Sequence, residues 1–140
     1  MRPGASGAAF VAMKLLGLLV MIALAAPAQA QNPGLGKRLF QAQCASCHGV
    51  SASGNGWLAQ YLTHRPANLT LLARRNGGVF PADGVRAAID GRADVLLHGP
   101  RDMPVWGERY ENALKGSSNA AAAARRRIDA LVDYLGSIQE

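Results

Sequence analysis

The chain has 140 residues, 49% of them hydrophobic, and its fifteen Lys and Arg against nine Asp and Glu give a formal net charge of +6. That length is expected to hold one domain with a thin core. The basic excess is scattered apart from the run Arg125, Arg126 and Arg127, too small a cluster to mark a nucleic-acid surface, and an acidic protein partner is the milder implication.

The first thirty residues read as an export signal. Lys14 supplies a positive charge, Leu15 to Ala26 an apolar run, and Ala28-Gln29-Ala30 a small-residue cleavage site. The apolar run is shorter than the ~20 residues that span a bilayer. The expected organisation is therefore a signal peptide over 1–30, with Met13 as the candidate true start, and one domain over 31–140, delivered outside the inner membrane to the periplasm. Without residues 1–30, which carry Arg2 and Lys14, thirteen basic residues face nine acidic ones, a net +4.

A first helix is expected from about Pro33 to Cys47, with Leu35, Leu39 and Phe40 as its apolar stripe. Gly36 lies four before Phe40 on the same face. At its end stands "CASCHG", residues 44 to 49, which holds both cysteines of the chain. On a helix, Cys44, Cys47 and His48 share one face. A bridge between the two thiols would close too short a loop to constrain the unfolded chain. A zinc site would need a second ligand pair, and His64 and His98 are each alone. A thioredoxin-like pair would follow a strand, whereas a helix-like run precedes Cys44. Covalent haem accounts for all three residues: two thiols add to the porphyrin vinyl groups, and the next imidazole lies under the iron. A ligand of that size would also fill out a thin core.

Further along, Asn68 is expected to cap a short helix through Leu69, Leu72 and Ala73 that stops at Asn76-Gly77-Gly78. A second helix spans about Asp83 to Asp90 and ends at Gly91. The stretch "HGPRDMPVWG" has no periodicity and reads as a loop. It holds Met103, the only methionine beyond residue 30. A third short helix follows Gly107 through Tyr110 and Leu114. The last is the clearest: Ile128, Leu131, Val132, Leu135 and Ile138 repeat at helical spacing, with Ser118 or Asn119 to cap the start. No alternating run is long enough for a strand.

On the attachment motif near the start of the domain, and on Met103-Pro104 in a late loop, the chain resembles the class I c-type cytochromes over residues 33 to 139. The resemblance implies an all-α fold of short helices and long loops around one covalent haem c. It implies thioethers at Cys44 and Cys47, and iron held by His48 and Met103, with His98 as the alternative sixth ligand. It also implies a close crossing of the first and last helices, at which Gly36 and Phe40 meet Leu131 or Tyr134. Many family members have a proline after the Gly-x-Gly that comes behind the motif, and its carbonyl accepts a hydrogen bond from the proximal imidazole. This chain has "GNGW", so the acceptor stays open between Gly56, Trp57 and a carbonyl near Pro66. Trp57, Tyr61, Trp106 and Arg65 are candidates for the haem edge and its propionates, with core packing or a surface role as the simpler account of each.

The function implied is one-electron transfer between protein redox partners, with no substrate bond made or broken, by a monomer or a subunit of a complex. Two rivals remain: a haem subunit of a larger periplasmic oxidoreductase, and a ligand-binding haem sensor or enzyme in which Met103 is displaced.

Overall fold

The computed structural model describes residues 33–92 and 103–140 of a compact unit that runs Gln31–Glu140. The described residues are helical, with no strand among them. They form six α-helices: α1 (Pro33–Gln43), α2 (Ala45–His48), α3 (Leu72–Arg75), α4 (Ala82–Asp90), α5 (Trp106–Asn112) and α6 (Ala120–Ser137). Two 3-10 turns, Ala59–Tyr61 and Leu69–Leu71, lie between α2 and α3. No helix among the described residues is long and apolar enough to cross a membrane.

The hub is α6. Its i, i+3, i+4 stripe buries Ile128, Leu131, Val132 and Leu135, and α1, α5 and α4 all pack against it. The crossing with α1 is the tightest. A Cβ on Gly36 would overlap the carbonyl oxygen of Ala130 and stand 2.8 Å from the Tyr134 Cβ, so only glycine lets the two backbones approach. Phe40, four residues on, is 1% exposed and sets its ring 5.4 Å from that of Tyr134. Each of these contacts arises from helical spacing on the two sequences, and the expected crossing is present.

Two local expectations change. The first helix breaks at Cys44, where α1 ends and the four-residue α2 begins, although the amide of Cys44 still bonds to Phe40 O at 2.9 Å. Asn119 occupies the position before α6, but its side chain forms no capping bond. Ser117 Oγ instead accepts from the Asn119 amide at 3.3 Å. Of the other short helices, the one expected to follow Gly107 through Leu114 runs Trp106–Asn112 with Gly107 inside it, and the remaining two appear where their signals lie. Asn68 Oδ1 accepts from the Thr70 amide at 2.9 Å, and Gly91 closes α4 in the left-handed conformation at φ 70.

Candidate functional site

Cys44, Cys47 and His48 are positioned by α2, one turn of helix whose ladder runs from Cys44 O. The amides of Cys47 and His48 reach that oxygen at 3.1 and 2.9 Å. Neither cysteine is in a disulfide. Cys44 packs against the buried cluster. Burial, and then the neighbouring Cys47, push its thiol up to about 11, so it stays protonated at neutral pH.

The imidazole of His48 is oriented from a distance in sequence. Its Nδ1 lies 3.0 Å from the carbonyl oxygen of Ala67, and since a carbonyl only accepts, Nδ1 carries the proton. The other ring nitrogen, Nε2, is thereby a lone-pair donor. Burial lowers the His48 pKa, against a smaller opposing effect of the bond to Ala67, a shift toward the neutral ring that a metal ligand needs. Of the acceptors left open by the sequence, the one beside Pro66 is used. The Trp57 carbonyl instead accepts from Gln60 Nε2 at 3.1 Å, and the Gly56 amide bonds back to Cys47 O at 3.0 Å.

Folding Ala67 onto His48 takes a loop that doubles back over α2. The amide of Gly54 reaches His48 O at 2.8 Å, and the amide of Leu69 reaches Ala52 O at 2.7 Å. Gly54 has φ 81, and a Cβ there would overlap Pro66 O, so both its conformation and its packing require glycine. The far end of this segment is held by the C-terminus. Gln139 Nε2 donates to Leu69 O at 2.8 Å, and Gln139 Oε1 accepts from the Ala73 amide at 2.9 Å. The Glu140 amide adds a bond to Thr70 O at 2.9 Å. Neither Ala67 nor Gln139 stands out in the sequence: a backbone acceptor has no residue-type signature, and a terminal glutamine has no motif.

Met103 is half-buried and packs against the same cluster as Cys44. The chain just beyond it is firmly held. Trp106 is 9% exposed and Tyr110 3%, their rings 5.7 Å apart, and the Tyr110 hydroxyl donates to Gln43 Oε1 at the end of α1. Burial, with Cys44 as the next cause, pushes the Tyr110 phenol up to about 12. The alternative ligand His98 lies outside the described residues.

The other candidates separate. Trp106 is core. Trp57 and Tyr61 are exposed at 68% and 74%, and Arg65 joins Arg75, Ser53, Pro66, Ala67 and Asn68 around an open cavity of about 450 Å³. His64 is exposed.

Residues 31–116 match the family described as cytochrome c oxidase, cbb3-type, subunit III. The chain belongs to this family of c-type cytochromes. No curated protein and no solved structure matches the chain. The match ends before α6, so the family assignment rests on the motif-bearing part rather than on the hub helix. As a class I c-type cytochrome the chain carries covalent haem c and transfers electrons. The residues present fit that group: two unpaired thiols one helical turn apart, and a neutral imidazole with Nδ1 already bonded.

Proposed function

We propose that the protein is an exported one-electron carrier in which Cys44 and Cys47 would hold the haem by thioethers, and His48 Nε2 and the Met103 sulfur would ligate its iron. Haem iron supplies the Fe(II)/Fe(III) couple. The chain's own residues do the rest. The Ala67 carbonyl holds the imidazole ring in one orientation and one tautomer. The loop pinned by Gly54 and Gln139 keeps that carbonyl in place. Met103 offers a neutral thioether, which favours the ferrous state relative to a second imidazole. Two protein ligands held in place would supply both remaining bonds to the iron, which would suit rapid electron transfer and disfavour binding of small molecules. The observation that carries the reading is the His48–Ala67 hydrogen bond beside two free thiols.

Residues 1–30 are read as the signal that exports the chain to the periplasm, leaving a domain of 31–140. Partners are protein donors and acceptors, and the charge distribution favours acidic ones. All nine acidic residues lie at Asp83 or later, whereas residues 31–82 carry Lys37, Arg38, Arg65, Arg74 and Arg75 with no acid. The part of the chain that bears the attachment motif is thus uniformly cationic, and encounter with an acidic surface should slow as salt rises. The family description favours one alternative, a haem subunit held permanently in a larger oxidoreductase.

The test is the ferric spectrum of the purified holoprotein. A thioether–iron bond gives a weak long-wavelength charge-transfer band, expected in the native protein and lost in Met103→Ala. Met103→His should keep a six-coordinate iron and lower the midpoint potential. A native protein without the band would overturn the assignment of Met103.

A further inference from the structure

Helix α4 ends at Asp90, and the backbone turns at Gly91, where an ideal Cβ would stand 3.2 Å from the Cα of Val105. The chain leaves this point at Arg92 and returns at Met103, Pro104 and Val105. Residues on either side of the intervening stretch are fastened by one guanidinium. Arg92 Nε and Nη2 grip the Asp90 carboxylate, at 3.0 Å to Oδ2 and 2.8 Å to Oδ1. Its Nη1 reaches across to Glu111 Oε1 on α5 at 2.9 Å. The Asp90 carboxylate lies against Gly107, where a Cβ would overlap Oδ1. A glycine directly after Trp106 is therefore what admits the ion pair to the neck of the loop.

We infer that Arg92 is a positioning residue for the sixth iron ligand: by bridging Asp90 and Glu111 it fastens the end of α4 to α5, the helix that begins three residues after Met103, and so holds the thioether in place. The inference rests on the assignment of Met103 as that ligand. A ligand beside a fixed anchor is in effect tethered, and its occupancy depends on how narrowly that anchor is held. Here the anchor is Val105, two residues beyond Met103 and packed on Gly91 next to Arg92. An isolated surface ion pair does little. This one differs because a planar fork grips one carboxylate with two nitrogens and reaches a second with a third, fixing direction as well as distance. Lysine could supply the charge but not the fork.

The structure contains a matched control. Arg86 bridges Asp83 at 2.6 Å and Asp129 at 2.8 Å with an exposure close to that of Arg92, 44% against 40%. It fastens α4 to α6, and neither of its partners lies on α5, the helix that follows Met103.

The experiment titrates the ferric holoprotein with imidazole, which competes for the sixth position, and monitors loss of the thioether charge-transfer band. Arg92→Ala should reach half-displacement at roughly fivefold less imidazole than the native protein, Arg92→Lys at an intermediate concentration, and Arg86→Ala at the native one. Gly107→Ala, which keeps Arg92 but crowds its carboxylate, should shift in the same direction as Arg92→Ala. Native behaviour in Arg92→Ala would overturn the inference, as would an equal shift in Arg86→Ala, which would mean that general loosening is responsible. If the native protein lacks the band, the assignment of Met103 fails first and the inference with it; if the band is present and insensitive to Arg92, the inference alone fails.

Discussion

The two sides of the candidate iron site are built by different means. The histidine side, residues 44–69, contains no acid; the imidazole of His48 is set there by backbone hydrogen bonds, glycine geometry and one carbonyl aimed at its ring. The methionine side, from Asp90 to Tyr110, is fastened by side chains: the Asp90–Arg92–Glu111 bridge, the Trp106–Tyr110 stack and the Tyr110–Gln43 bond. A backbone-built site is rigid and insensitive to salt, whereas a site closed by exposed charges can be loosened by salt or acid. The comparison teaches that the proposed histidine ligand is oriented by the backbone, whereas the proposed thioether ligand is held through side chains.

The largest effect should come from breaking the histidine side through its backbone. Gly54→Val forces a β-branched residue to φ 81 and drives a side chain into Pro66 O, so stability should drop by about 3 kcal/mol, read as a lower urea midpoint of the holoprotein. Gln139→Ala comes next. It removes bonds to Leu69 O, Leu135 O and the Ala73 amide, and a loss of about 2 kcal/mol is expected, with the denaturant slope unchanged. A loss confined to a few tenths would mean that the C-terminal clasp does not support the Ala67 segment.

On the methionine side the effects are smaller and depend on pH. Arg92 holds the Asp90 carboxyl below its ordinary value of 3.8, so the native state takes up that proton less readily than the unfolded chain. The resulting stability is present above pH ~4 and is lost as pH falls through the native pKa. Native protein and Asp90→Asn should therefore differ by less than about 1 kcal/mol at pH 7 and converge in acid. A difference that persists undiminished at low pH would show that Asp90 acts by shape rather than charge.

Legibility in the sequence tracks the range of the interactions. The spacing of Cys44, Cys47 and His48, the α6 stripe and the Asn68 and Gly91 helix ends are local, and each is readable because one residue type at one offset has one physical use. The Gly36–Phe40 crossing is readable only through resemblance, since the partner residues lie some ninety positions away. The features that leave no mark on the sequence are nonlocal and chemically anonymous. Ala67 acts through a carbonyl that every residue possesses, Arg92 and Glu111 are separated by the very loop they close, and Gln139 reaches back about seventy residues. The expected cap at Asn119 fails because its backbone, at φ −109 and ψ 11, is not in the extended conformation from which a capping side chain reaches the first turn.

The most direct test is the absorption spectrum of the purified ferrous protein before and after carbon monoxide. The account predicts sharp haem c bands that carbon monoxide leaves unchanged, because it assigns both His48 and Met103 to the iron. A large shift on adding the gas would contradict it, by showing an iron whose sixth position is open to small molecules.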